Sequence, residues 1–133
     1  VRYVLDTNTL VYFFRGDGRV AERLFAVSPA ALAVPAVVLY ELETGIAKST
    51  DPTKRRGQLD RMLQVVTVLP FGEPEARAAA TLRAAMEASG TPLGPLDTLV
   101  AGTALACAGT LVTRNLREFG RVPGLATVDW YGS

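Results

Sequence analysis

Three acidic residues stand where an acid is costly unless it has work to do. Asp6 closes the first apolar run, Arg2–Leu5. Glu41 lies in Val37-Val38-Leu39-Tyr40-Glu41-Leu42-Glu43-Thr44-Gly45 and shares a helical face with Val34, Val37, Val38, Leu42 and Gly45 at three- and four-residue spacing. Asp97 follows Gly94-Pro95-Leu96, with the apolar Val100, Ala101 and Ala104 as its helical neighbours. Each has a structural alternative. Asp6 suits a helix N-cap, Glu41 a buried ion pair with an arginine, and Asp97 a first-turn acid favoured by the macrodipole behind a Gly94 cap. Capping and ligation can coexist at Asp6. All three fall near one edge of the predicted sheet. Carboxylates that close repel by roughly 4 kcal/mol per pair at an effective dielectric of about 20. Such a cluster needs protonation, arginine partners or a cation. Mg²⁺ or Mn²⁺, hard ions with oxygen ligands, are the natural counter-charges.

What the chain lacks narrows the chemistry. Its 133 residues contain no histidine, so the commonest neutral-pH base, a Ser-His-Asp triad and His-containing zinc sites are excluded. A bound metal acidifies water without a side-chain base, and two ions about 4 Å apart can hold both the attacking and the leaving oxygen of a phosphodiester. One metal or two stays open at this point. The single cysteine, Cys107, cannot form an internal disulfide and sits in an alanine-rich stretch, where it reads as an inert core thiol. A reduced, cytoplasmic setting fits that usage. Phosphate-binding glycine motifs are missing. A haloacid-dehalogenase-like phosphatase wants a second aspartate two residues after the first, where this chain has Asn8. A net charge of +1 does not announce nucleic acid, so any basic surface must be local.

Positioning these acids requires strands that end beside them. Arg2–Leu5 reads as a strand, followed by an apolar segment through Leu10, Val11, Phe13 and Phe14. Gly16-Asp17-Gly18 is a turn, and Val20, Leu24 and Val27 repeat at helical spacing. A second strand is expected at Ala31–Val34 and a helix at about 35–48, with Pro35 in its first turn. Lys48–Gly57 is polar and basic, with Asp51-Pro52 as a break. Leu59, Met62, Leu63 and Val66 mark a helical stripe running into a strand near Val65–Leu69. Helices are expected from Pro74 to about Ser89 and from Pro95 to about Ala108. Leu111–Thr113 and Ala126–Val128 complete the strands, with a turn or short helix at Arg114–Gly120 between them. Alternating strands and helices imply a parallel sheet covered on both faces, with ligands outside the strands' carboxyl ends. The N-terminus has no signal-peptide h-region, and the uncharged stretch from Thr98 to Thr113 is broken and shorter than a span of about 20 residues, so no membrane segment is expected.

The motifs together resemble the PIN-domain ribonucleases, and more closely the VapC toxins of bacterial toxin–antitoxin pairs. The matching pieces are Leu5-Asp6-Thr7-Asn8, Glu41-Leu42 with Gly45, Gly94–Gly102, Leu111–Phe119, Val122–Leu125 and Asp129-Trp130. The resemblance runs nearly end to end, as one domain over residues 1–133. It implies a PIN-like three-layer α/β/α sandwich with a mainly parallel, roughly five-stranded sheet. It further implies an Mg²⁺- or Mn²⁺-dependent endoribonuclease, a homodimer, and inhibition by a small VapB-type antitoxin that covers the acidic groove. Asp6, Glu41 and Asp97 fall on the family's three core acids. Where many members carry a fourth aspartate, this chain has Asn115; a subgroup uses the glutamate of its Arg-Glu-Phe segment, here Glu118. Asn8, Thr113 and Asn115 are the groups expected to orient the carboxylates. A housekeeping PIN nuclease of RNA maturation and a PIN module that binds without cutting are the competing readings.

Two basic segments are candidates for RNA phosphates: Arg114, Arg117 and Arg121 beside the expected site, and Lys54, Arg55 and Arg56 in the polar stretch. The competing reading is an ordinary solvated face. The resemblance favours tRNA or another structured RNA as substrate.

Overall fold

The computed structural model describes residues 2–132; Val1 and Ser133, the ends of the expected domain, lie outside the described residues. The chain runs β1 (Tyr3–Leu5), α1 (Thr7–Arg15), α2 (Val20–Phe25), a 3-10 turn (Pro29–Ala31), β2 (Leu32–Pro35), α3 (Ala36–Ala47), α4 (Pro52–Leu63), β3 (Thr67–Leu69), α5 (Glu73–Ala88), α6 (Pro95–Ala106), β4 (Thr110–Val112), α7 (Leu116–Phe119) and β5 (Ala126–Val128).

All five strands are parallel, in the order β3-β2-β1-β4-β5. Parallel neighbours need crossovers, and the helices supply them. Right-handed crossovers that lead first one way from β1 and then the other place helices on both faces. The result is the expected α/β/α sandwich. The direction of winding reverses between β1 and β4, which pair with Leu5 opposite Val112. A parallel sheet opens its ligand crevice at that reversal, beyond the carboxyl ends of the two strands. Asp6 and Thr113 are the next residue after each strand.

Burial on both faces explains the strand sequences. Val4, Leu5, Ala33, Val34, Leu111 and Val112 are fully buried, so these strands show no polar alternation. The edges differ: Val68 of β3 is exposed. α5 and α6 pack unusually closely, and Gly102 permits it. A Cβ built on Gly102 would lie 2.6 Å from the Ala79 Cβ and 2.8 Å from its Cα.

The elements depart from expectation at their ends. Pro35 closes β2 and serves as N-cap of α3 rather than opening the helix, because its extended ψ of 145° continues the strand. The polar stretch after Lys48 is helical from Pro52, which occupies the first turn of α4. Only Leu59 and Met62 of that helix are buried, so its first two turns show no apolar rhythm. β3 begins at Thr67, since Val65 and Val66 still donate backbone hydrogen bonds to Met62 at the end of α4. Among the described residues, no helix is long and apolar enough to cross a membrane.

Candidate metal centre and nucleic-acid interface

Asp6 does two things at once. Its Oδ1 accepts the Thr9 backbone N–H at 2.8 Å and so caps α1, as its sequence position suggested. Its own N–H donates to the Val112 carbonyl at 3.3 Å, which extends the β1–β4 ladder by one step. The buried Thr113 hydroxyl reaches the same carboxylate from the β4 side. Burial pushes the Asp6 carboxyl above its ordinary value; hydrogen bonds from Thr113 and Thr9 pull it back, and the charge of Asp129 pushes it up again.

Glu41 stands on α3, whose buried face carries Val38 and Leu42. Its Oε1 accepts a 2.8 Å hydrogen bond from the hydroxyl of Thr7, the residue after Asp6. Asp97 lies in the first turn of α6, with Gly94 as N-cap. The Asp97 carboxyl is also raised, first by burial and then by the charges of Glu118, Glu41 and Asp6 in that order. Four acids, one just after β1 and the others from α3, α6 and α7, therefore share one electrostatic neighbourhood. Their 6, 41, 97 and 118 spacing is closed up by the sheet.

Among the described residues, no cation forms an ion pair with any of them; the ion pairs engage Glu22, Glu43, Asp60, Glu73 and Glu87 instead. The buried-ion-pair alternative for Glu41 therefore finds no arginine. Nor do three carboxylates of the described residues close into a finished cage. An open all-oxygen cluster still fits a small hard cation, because Mg²⁺ keeps several waters and takes only one or two carboxylates directly.

A PIN-domain model matches residues 3–125. The chain belongs to the PIN-domain family, among the VapC ribonucleases. It is 30% identical to the tRNA(fMet)-specific endonuclease VapC of Salmonella typhimurium over 98% of each chain. It is 32% identical to ribonuclease VapC2 of Rickettsia felis, covering 96% of this chain and 97% of that protein. The solved DNA-bound VapBC of Salmonella typhimurium superposes with a TM-score of 0.91 at 30% identity and covers 98% of both chains. VapBC2 of Rickettsia felis, bound to a promoter DNA fragment, gives 0.90 at 30% identity over 98% of this chain and 99% of that one.

The remaining groups of this VapC-family chain divide clearly. Thr113 lies beside Asp6, and its hydroxyl also accepts the Asn115 N–H at 3.0 Å. Asn115 precedes α7 as its N-cap without a side-chain capping bond, while Glu118 within α7 supplies the charge at Asp97. Asn8 is exposed. Among the described residues, Thr7 and Thr9 on either side of it contact the acids instead. The Thr9 side chain is itself buried and donates to the Val112 carbonyl at 3.1 Å. Asp129, which follows β5 and whose Oδ1 accepts the Tyr131 N–H, is a further acid near Asp6 that no role was assigned. Its position after an edge strand was the available signal.

Arg114 is exposed, but its guanidinium rests 3.6 Å from the centre of the Tyr131 ring and 5.7 Å from that of Tyr12. Arg117 and Arg121 are exposed beside Glu118. In the other basic segment Lys54 is exposed, whereas Arg56 is held by Glu43 and Asp60. Glu43 is thus paired rather than simply solvated. Arg55 is half-buried and lines a cavity shared with Glu41.

Proposed function

We propose that the chain is a divalent-metal-dependent endoribonuclease, the toxin of a toxin–antitoxin pair acting in the cytoplasm, with Asp6, Glu41, Asp97 and Glu118 as its metal-holding acids. The observation that carries this reading is the Asp97 carboxyl, raised by burial and by the charges of three other acids, while among the described residues no basic side chain forms an ion pair with it. At neutral pH such a group calls for a bound cation, and Mg²⁺ or Mn²⁺ suits the oxygen donors. When bound, the ion would supply positive charge for the phosphodiester oxygens and a lowered pKa for an attacking water.

The chain's own residues do the positioning. The Thr9 backbone N–H and the Thr113 hydroxyl hold the Asp6 carboxylate in place. Thr7 orients Glu41 toward the same space. Glu118, exposed on α7, adds its charge to the cluster at Asp97. Arg114, Arg117 and Arg121 at the rim are placed to meet RNA phosphates, which carry affinity but little sequence information.

The relative from Salmonella typhimurium, named as a tRNA(fMet)-specific endonuclease, supports a structured RNA and tRNA first among them. The VapBC complexes among similar structures support a VapB-type antitoxin as partner. A homodimer is proposed on the family likeness. The test is cleavage-site mapping on total RNA with the purified chain, Mg²⁺ or Mn²⁺, and an Asp97→Asn control. Discrete cuts that vanish with a chelator and with Asp97→Asn are expected. Equal cleavage by Asp97→Asn, free of contaminating nuclease, would overturn the reading.

A further inference from the structure

A cavity of about 200 Å³ opens beside the acid cluster, between α1, α3 and α4. Glu41 and Thr7, joined by their hydrogen bond, form one wall. Val11, Phe14, Ile46 and Leu59 make the rest mainly apolar, and two cations, Arg15 and Arg55, also line it. Gly45 of α3 completes the lining.

Gly45 has no local reason to be glycine. It lies inside a helix, where glycine is destabilising relative to alanine. Gly102 in α6 is explained by Ala79 pressing against it. A Cβ built on Gly45 meets nothing within 4 Å. Gly45 is exposed and lines the cavity one helical turn from Glu41, so a side chain added there has open space at the cavity to enter.

We propose that this cavity receives one unstacked base of the RNA strand, next to the phosphodiester held at the acid cluster; this rests on the endoribonuclease reading above. An apolar floor that includes a phenylalanine suits the face of a base drawn out of its stack. The Thr7 hydroxyl and Glu41 offer polar partners for its edge. Arg15 and Arg55 answer the phosphates that flank it, a charge match that an apolar protein side chain would not need. Because Glu41 belongs to both the wall and the acid cluster, a base seated here is adjacent to the reacting phosphate. The cavity therefore selects single-stranded or loop nucleotides over duplex, and it fixes which bond is cut.

The experiment fills the cavity. Gly45→Leu places a side chain into open space on a helical backbone, so its folding midpoint is expected to be unchanged or higher. Steady-state cleavage is measured with the purified chain, without antitoxin, on a synthetic RNA hairpin carrying the mapped cut site. The expected result is a KM raised on the order of ten- to a hundredfold, the loss of one base contact, with kcat changed much less. An abasic nucleotide beside the cut should cost the wild type a similar factor and Gly45→Leu little more. Arg55→Gln should independently raise KM and reduce the salt dependence by about one phosphate contact. Unchanged KM for both variants would overturn the base pocket alone, as would variants that cleave normally but resist antitoxin, which would assign the cavity to a protein partner. Absence of metal-dependent cleavage by the wild type would instead overturn the nuclease reading, and the pocket with it.

Discussion

Thr7 and Glu41, 34 positions apart, are joined by a 2.8 Å hydrogen bond from hydroxyl to carboxylate. Thr7 directly follows Asp6, so this one bond ties the acid at the end of β1 to the acid on α3. Thr113 does the corresponding work on the other side, reaching Asp6 from the end of β4.

Replacing either hydroxyl by a methyl group keeps side-chain volume and removes the orientation. Thr7→Val and Thr113→Val are each expected to weaken Mn²⁺ affinity and cleavage on the order of ten- to a hundredfold. Thr113→Val also strands the Asn115 N–H, so it should lose stability, whereas Thr7→Val should fold like the wild type. Calorimetric Mn²⁺ titration beside thermal melts separates the two effects.

The raised Asp6 and Asp97 carboxyls fix the sign of a pH dependence. A carboxyl whose pKa is higher in the folded than in the unfolded chain binds protons more tightly when folded. The metal-free protein should therefore lose stability as pH rises from about 4, near the unfolded value, through the folded values. Asp97→Asn removes one such charge, so at pH 7 and without metal it is expected to melt a few degrees above the wild type. The gap should close toward pH 4, and added Mg²⁺ should raise the wild type selectively. Thermal denaturation at several pH values, with and without Mg²⁺, checks all three.

Glu41 and Glu43 are two residues apart and face different partners. Glu43 is bound to Arg56 at the surface, where an ion pair contributes little. Glu43→Gln is expected to leave cleavage within about twofold of wild type, while Glu41→Gln lowers it at least on the order of a hundredfold. Equal effects in a metal-titrated assay would mean that Glu41 lies outside the chemistry.

Gly102 tests the packing that positions Asp97. A methyl group there must displace the Ala79 Cβ and backbone, a change that overpacks the α5–α6 contact. Overpacking typically costs about 1–3 kcal/mol, more than the roughly 1 kcal/mol by which alanine favours a helix over glycine. Gly102→Ala should therefore lower the denaturation midpoint, as a urea titration would read.

The sheet and the convergence of three distant acids on one electrostatic neighbourhood were legible in the sequence. Asp6, Glu41 and Asp97 each interrupt an apolar face, and burying an unpaired acid is costly enough that it signals a purpose. Helix phase was harder. Whether Thr7, Asn8 or Thr9 turns toward the acids depends on where α1 starts, and a shift of one residue rotates each by about 100°. Asn8 was expected to help orient the carboxylates and is exposed instead. The start of α4 was hidden because its first turns bury nothing, and the fourth position was ambiguous because Asn115, the N-cap of α7, and Glu118 within that helix are one turn apart. Arg114 could be read as a cation, but its seat on Tyr131 depends on the chain's end folding back beside α1, where Gly18 leaves room for that ring.

The most direct measurement is Mn²⁺ binding to the wild type, Asp6→Asn and Asp97→Asn at pH 7. Asparagine keeps the cap on the Thr9 N–H, so Asp6→Asn should remain folded while it loses a charge. A shared cation site predicts saturable binding by the wild type and affinity reduced at least tenfold in each variant, although residues 6 and 97 lie on different elements. Affinities equal to wild type in both variants would contradict a single site in which the two acids hold one ion.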